Sequence, residues 1–485
     1  DDIATQTQQQ KSKTVEVNLS DIVQLVIQNN RTLKNNFLSR IIEKQELVEA
    51  KSKFTPTITP KLSVSANESL SSSPSFDSGG ADFATATDSA NVNQPEEDST
   101  LDSSFDGDTG NDNFNRSLQI GAELLTPLGT NITLTADPLS DFEIVGLEVR
   151  QPLLRGAGIK VNQASVKSAR LTDTRQIWEL KQSLSDRIVE GVKAYRTLVQ
   201  AQEEVRIRQN SLKSRQQDLQ VQIALVKAGR RARADLVQLE SSVASSEEQL
   251  LSARNSLSQA NSDLLEIIDT DKNLNIVVSQ ESIKALTNEK LLRPVETSQD
   301  KLLQQAYGQR PDYLQANLDT RIAQLRLIEP ENNRKWQLDA VSNLNLGDTS
   351  EAIASLELTR TFEDQSLQTA FERSRVELLQ RQNDFKDIKE TVKVEVSQQI
   401  INVNSNLAQI EKARRAKELA EERLEIVKQL YRQGRGGVDI FEITSQQDAV
   451  VEAQNTELNA VIDYLNARTD LEQSLGTIGG SIAKN

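Results

Sequence analysis

Residues 177–226 read IWELKQSLSDRIVEGVKAYRTLVQAQEEVRIRQNSLKSRQQDLQVQIALV. Within them Ile177, Leu184, Gly191, Leu198, Val205, Leu212, Leu219 and Val226 stand seven apart. Ile188, Tyr195 and Ile223 occupy interleaved positions, with Gln202, Gln209 and Gln216 between. An apolar repeat of this kind lays one stripe along a helix and asks for a partner helix. No Pro falls between Ile159 and Val226, and Gly191 is the only Gly inside that span. A helix over 159–226 would be about 100 Å long at roughly 1.5 Å per residue, too long for a globular domain of ordinary size.

Working outward, Gly229-Arg230-Arg231 predicts a turn. Leu236, Val243, Leu250, Leu257 and Leu264 then restart a spacing of seven. Two long helices joined by a short turn are expected to pack as an antiparallel coiled-coil hairpin. The second half of the chain copies the first at a shift of 280. Ile22 matches Leu302, Asn30 matches Arg310, Leu38 matches Leu318, Ile42 matches Ile322 and Leu47 matches Leu327. The spacing of seven returns at Phe371, Leu378, Phe385 and Val392, then shifts to Val396, Val403 and Ile410. Gly434, Gly436 and Gly437 break it, and Val451, Leu458 and Leu465 carry a last helix. Each repeat thus reads as helix, β-hairpin, long helix, turn, helix.

Ahead of each long helix the period changes to two. Ile58, Pro60, Leu62, Val64 and Ala66 alternate with polar residues after Pro56 stops a helix that opens at Leu19 with Ser20 as N-cap. Shorter alternations cover Leu118–Leu124 and Ile132–Ala136, and a less regular run covers Phe142–Val149. Trp336–Leu346 and Ala352–Phe362 form the hairpin of the second repeat. The segment 71–115 is polar, rich in Asp and Glu, and free of Lys and Arg, so it is expected to be a solvated loop. Its Asp106-Gly107-Asp108-Thr109-Gly110-Asn111 lacks the EF-hand pattern at the fifth and sixth positions, and a plain acidic loop is the simpler reading.

Composition excludes much. Among 485 residues there is no Cys, His or Met, and the net charge is −15. Without Cys or His there is no thiol nucleophile, no Ser-His triad and no usual zinc or haem site, and an acidic chain is a poor nucleic-acid binder. No catalytic residue, cofactor or metal site is expected. Aromatic residues make up 4% and the apolar fraction is 36%, low for a compact enzyme and suited to helices that partner helices. No stretch approaches the roughly 18 apolar residues of a membrane helix, so any membrane crossing has to be a closed β-barrel. A chain opening on Asp1 is expected to be processed.

Four features together resemble the TolC-type outer membrane efflux protein family over almost the whole chain. They are the opening Leu19-Ser20-Asp21-Ile22-Val23-Gln24-Leu25-Val26-Ile27-Gln28-Asn29-Asn30, and its echo Gly308-Gln309-Arg310-Pro311-Asp312. The others are Gln151-Pro152-Leu153-Leu154-Arg155-Gly156-Ala157-Gly158 and the two tips, Ala228-Gly229…Asp235-Leu236 and Tyr431-Arg432-Gln433-Gly434…Asp439-Ile440. The resemblance implies a mainly α fold with a transmembrane β portion. A long coiled-coil helical barrel joins a trimeric outer-membrane β-barrel, with two structural repeats per chain. Expected boundaries are a tail over 1–18, a first repeat over 19–280 (strands about 56–150, helices 159–228 and 235–268) and a second over 281–475. The second repeat holds a hairpin at 336–362 and helices at 367–432 and 439–475, and a tail covers 476–485. The family barrel takes four strands per protomer, whereas this chain offers about six. The extra pair is either one interrupted strand or a hairpin outside the barrel.

The resemblance also implies a passive, non-enzymatic exit duct in the outer membrane with a periplasmic extension. It would serve a periplasmic adaptor and an inner-membrane transporter, in efflux or type I secretion. Asp439 and Glu442 match Asp residues that ring the family's closed periplasmic mouth. Tyr431 and Arg435 match residues that tie it shut, in a tip turn one residue shorter than the family's, and Asp235 stands in the other tip. Ordinary solvated helix ends are the plainer account of such charges. Trp336, Phe362 and Phe54 sit at the helix-proximal strand ends, where an aromatic girdle should meet outer-membrane lipid. A soluble sheet with one wet face would show the same alternation. The competing function is a structural or adhesive trimeric coiled-coil stalk without conduction.

Overall fold

The computed structural model describes residues 14–67, 113–138, 144–229, 232–286, 292–347, 350–362, 364–433 and 437–478. The first repeat contains β1 (Thr14–Glu16), α1 (Leu19–Asn29), α2 (Arg31–Ser52), β2 (Thr57–Asn67), β3 (Asn113–Leu125), β4 (Asn131–Asp137) and β5 (Ile144–Pro152). It continues through α3 (Ile159–Asn162), α4 (Ala164–Lys227) and α5 (Arg233–Ile267). The second contains β6 (Asn275–Val277), α6 (Gln280–Leu286), α7 (Gln299–Gln309), α8 (Pro311–Asn333), β7 (Gln337–Leu346), β8 (Glu351–Thr359), α9 (Gln365–Gln433) and α10 (Ile440–Ser474). The chain divides into a helical unit (1–52, 163–334 and 363–485) and a sheet unit (53–162 and 335–362).

In the helical unit, α4 packs on α5 and α9 on α10 as two long hairpins. Each hairpin zips along an apolar seam. Tyr195, Leu198, Val199, Leu264 and Leu265 fill one, and Val392, Val396, Val403, Ile410, Tyr464 and Leu465 fill the other. At about 1.5–3 kcal/mol per buried side chain, these seams outweigh any helix propensity in this Gln- and Ser-rich chain. The heptad glycine, Gly191, admits α1 to close range: a Cβ there would stand 2.8 Å from a methyl of the buried Val26.

Three expectations need correction. The N-cap of α1 is Asn18, in a capping box with Asp21, and not Ser20, because only Asn18 is extended and places its side chain on the Asp21 N–H. The opening helix is broken in two at Asn30, whose backbone turns to ψ 120. The stretch 1–18 is not all tail, since Thr14–Glu16 pairs in parallel with Asn275–Val277 and buries Val17. At the other end, Ile478 is fully buried beside Val23 and Ile188.

In the sheet unit, six strands run in the order β2-β3-β4-β5-β7-β8, every neighbouring pair antiparallel. The pair that the sequence left ambiguous is a hairpin inside this sheet, and β3 begins at Asn113, within the stretch expected to be loop. The acidic run with its Asp106–Asn111 segment lies outside the described residues. Among those described, no helix is long and apolar enough to cross a membrane and no cluster of acidic residues could hold a metal.

Candidate functional site

The two hairpin tips meet. Gly229 and Gly437 both adopt positive φ, +70° and +66°, where a side chain would strain the turn. Beneath them Leu239, Val427, Ile440 and Ile443 form a small apolar plug shared by both hairpins. Above it, the Tyr431 hydroxyl donates to Gln222 Oε1 at 3.3 Å, and Gln222 Nε2 donates to Asp235 Oδ2 at 3.3 Å. Gln222 is 2% exposed and lies at the buried centre of a relay that joins α9, α4 and α5 through the half-buried Tyr431 and Asp235. Gln222 was not singled out in the sequence, because it lies off the heptad positions at Leu219, Ile223 and Val226.

Asp439 is the N-cap of α10. Its carboxylate accepts from the Glu442 N–H at 2.9 Å, and it is exposed. The Glu442 carboxylate accepts from Gln446 at 2.9 Å and faces Arg423 at 3.4 Å. The helix start thus brings both acids to one place beside the half-buried Tyr431. Arg435 lies outside the described residues.

Between the hairpins the contacts turn polar. Lys193 meets Asp470 at 2.6 Å, Gln200 donates to Asn459 at 2.7 Å, Arg215 pairs with Asp448, and Gln447 donates to Asp218 at 2.7 Å. Arg196 donates to Leu465 O, Asn466 Oδ1 and Thr469 Oγ1. Burial pushes its guanidinium down to about 10, against the raising effect of Glu472 and Asp470. The Nε atoms of Arg196 and Arg215 are buried without a hydrogen-bond partner. This α4–α10 seam was not legible as one. Its residues alternate with coiled-coil positions, and nothing in a single helix tells which face meets a second hairpin.

At the far end of each repeat a second polar joint forms. Arg310, between α7 and α8, donates to Asp312 at 2.6 and 3.0 Å, to Glu395 on α9 at 2.6 Å and to the Ser474 carbonyl on α10 at 3.3 Å. Burial alone would lower the Arg310 pKa and raise that of Asp312. Their mutual hydrogen bonds and charges win, so Arg310 is raised and the Asp312 carboxyl is held below its ordinary 3.8.

The sheet has two unlike faces. One carries Ile58, Leu62, Ile120, Leu134, Leu147, Leu344, Leu356 and Leu358, all in register across the strands. Leu62, Leu356 and Leu358 are 60–72% exposed. The other face gathers Arg150 with Glu148 at 3.1 Å, Glu357 at 2.8 Å and Asp339 at 3.5 Å. Asp339 of β7 and Glu357 of β8 stand opposite each other on this face. Arg150 was missed, because Asp339 and Glu357 lie about 190 and 210 residues away from it and only the β5–β7–β8 register unites them. Trp336 and Phe362 meet edge to face at 6.3 Å, and Arg360 lies over both rings. Phe54 is half-buried before β2, on the opposite edge of the sheet, and so does not join that pair.

No family model and no curated protein matches the sequence. Solved structures do match the fold. CusC superposes with a TM-score of 0.67 at 13% identity, over 95% of this chain and 92% of its own. The Campylobacter jejuni CmeC outer membrane channel gives 0.65 at 14%, over 97% and 88%. The outer membrane protein VceC of Vibrio cholerae gives 0.65 at 11%, over 94% and 96%. The fold of this chain is that of the TolC-type outer-membrane efflux channels.

Proposed function

We propose that this chain is one protomer of a homotrimeric outer-membrane duct. It conducts solutes passively from a periplasmic adaptor and inner-membrane pump to the exterior, and its gate lies at the helix tips. The observation that carries the reading is the sheet. An apolar face crosses six strands with its side chains exposed or half-buried, opposite a charged face, and the outer edges of β2 and β8 have no strand partner among the described residues. Water on both faces would leave that apolar band and both edges unprotected, whereas lipid outside, water inside and closure by further copies satisfy all three.

The helices support assembly in the same sense. α9 exposes Val376, Val394, Ile401, Leu419 and Ile426 along one face, and α2 exposes Phe37, Ile41 and Val48. Within the protomer α2 packs on α4 alone among the long helices, and α9 packs on α8 and α10, so the two stripes lie on opposite edges. Unlike edges meeting head to tail generate a ring when the rotation closes.

Gating rests on the contrast of seams. Opening the apolar α4–α5 or α9–α10 seam would expose core. Opening the polar α4–α10 seam exchanges hydrogen bonds for water, and the unpaired Nε atoms of Arg196 and Arg215 already cost about 1–3 kcal/mol each. At the mouth the Tyr431–Gln222 bond ties α9 of one hairpin to α4 of the other beside that seam, and Asp439 and Glu442 from each copy would ring the axis and attract cations. No step needs chemistry from a side chain. Planar-bilayer recording of the purified protein, with its mass in detergent, tests the reading. Discrete conductance from a trimer is expected. A non-conducting trimer would favour the adhesive stalk, and a stable monomer would overturn both.

A further inference from the structure

We infer that each copy contributes all six strands to the barrel wall, so that the β3–β4 hairpin is a pair of staves and three copies close around eighteen strands (three times six). This rests on the duct reading above and goes beyond it. The TolC-type resemblance alone implies four strands per copy and twelve in all.

Three observations bind the hairpin into the wall. Its side chains alternate in phase with the rest of the sheet. Ala122 lies opposite Leu134 and Leu124 opposite Ile132, and on the next strand Leu134 lies opposite Leu147 and Ile132 opposite Val149. A hairpin hanging in water would have no reason to continue the apolar band, and Leu134, at 42% exposed, would be an uncompensated apolar surface. On the other face, Gly146 of β5 leaves a gap filled from both sides. A Cβ there would stand 2.7 Å from Thr135 Oγ1 on β4 and 3.3 Å from Asn345 on β7. β4 and β7 therefore share one layer of side chains across β5.

The turn between β3 and β4 is also tied down. The Gly158 N–H donates to the Leu128 carbonyl at 2.9 Å. Gly129, at φ +96°, sits so close that a Cβ would lie 2.4 Å from the Gly156 carbonyl. Asn162 donates to the carbonyls of Gly156 and Gly158, fixing the loop that receives the turn. The glycines of the Gln151–Gly158 motif thus serve as a seat for the extra hairpin. β4 has 7 residues, short of the roughly 9–11 of a full tilted span, but its neighbours β3 and β5 run on past it.

Barrel diameter grows about linearly with strand number, so an eighteen-stranded wall is about one and a half times as wide as a twelve-stranded one. The exit would admit bulkier solutes than the narrower wall.

The absence of Cys makes the test clean. Thr133→Cys, Leu134→Cys and Thr135→Cys in β4, with Asn343→Cys and Leu344→Cys in β7 as the reference strand, are labelled with an environment-sensitive maleimide. The trimer in lipid nanodiscs is then exposed to spin-labelled lipid and to aqueous iodide. Lipid should quench positions 134 and 344 several-fold more than their neighbours, and iodide should do the reverse. Iodide quenching of all three β4 positions, with β7 still alternating, would put the hairpin outside a twelve-stranded wall and overturn the inference while sparing the duct. Loss of alternation in β7 as well would overturn both. A cryo-EM section across the same particles should count eighteen strands; twelve strands from two copies would keep the six staves and overturn the trimer.

Discussion

Asn30 and Arg310 hold the same joint in the two repeats. Asn30 donates to the Ile267 carbonyl at the end of α5 (3.1 Å), and Arg310 donates to the Ser474 carbonyl at the end of α10 (3.3 Å). Each stands where two helices part, and each pins that break to the last turn of its own repeat. One joint uses a neutral amide, the other a guanidinium backed by Asp312 and Glu395.

The unequal chemistry predicts unequal losses. Arg310→Met leaves two carboxylates without their cation and should cost about 2 kcal/mol. That is below the 3–5 of a fully buried pair, because Glu395 is half exposed. Asn30→Ala removes only neutral hydrogen bonds and should cost about 1 kcal/mol. Shifts in the midpoint of helix melting in detergent check both, and equal shifts would contradict the assignment.

Acid should loosen the second joint. The folded protein holds the Asp312 carboxyl below its ordinary 3.8, so it binds that proton less tightly than the unfolded chain does. The stabilisation is therefore complete above that ordinary value and is lost as pH falls from it through the folded value. Melting midpoints should drop more steeply below about pH 4 in the parent than in Asp312→Asn. Parallel pH curves would show that the pair contributes nothing.

Gly191→Ala places a Cβ 2.8 Å from a methyl of the fully buried Val26. A loss of about 1–3 kcal/mol is expected, with faster amide exchange over 19–29 as α1 lifts. Exchange unchanged from the parent would mean that α1 shifts at no cost.

At the tips, Tyr431→Phe removes the hydroxyl donated to Gln222. If that bond holds the mouth, its loss of about 0.5–1.5 kcal/mol raises the ratio of open to closed time roughly 2- to 12-fold in single-channel records. An unchanged ratio would make the relay a packing detail.

The proposed ring of Asp439 and Glu442 calls for a gentle substitution. Asp439→Ala would also remove the cap of α10, at about 1 kcal/mol. Asp439→Asn with Glu442→Gln keeps hydrogen-bonding groups while removing charge. Cation-over-anion permeability and block by multivalent cations from the tip side should both weaken. If neither changes, these acids are ordinary solvated helix ends.

What the sequence made legible followed from periodicity. The spacing of seven found the long helices, and the period of two found the strands, including the pair that fits no four-strand scheme. What it hid depended on geometry between distant segments. The break at Asn30 follows from a bond to Ile267, and the Arg150 cluster from a strand register spanning both repeats. The N-cap was misplaced by two residues because Asn18 and Ser20 are both good caps, and only backbone conformation separates them.

The pairing of Val15 with Ile276 bears on how the molecule comes to exist. β1 finds its partner only after about 260 further residues have been made. β5 likewise waits for β7, about 190 residues on. The α4–α5 hairpin needs only its own neighbours and can zip in microseconds to milliseconds, whereas pairings so distant in the chain are slow to find. Strands β2 to β5 are therefore made amphipathic and with no finished sheet to join. Until the second repeat arrives, the apolar face of these strands has no β7 to pair with and stays the part of the chain most open to wrong pairing.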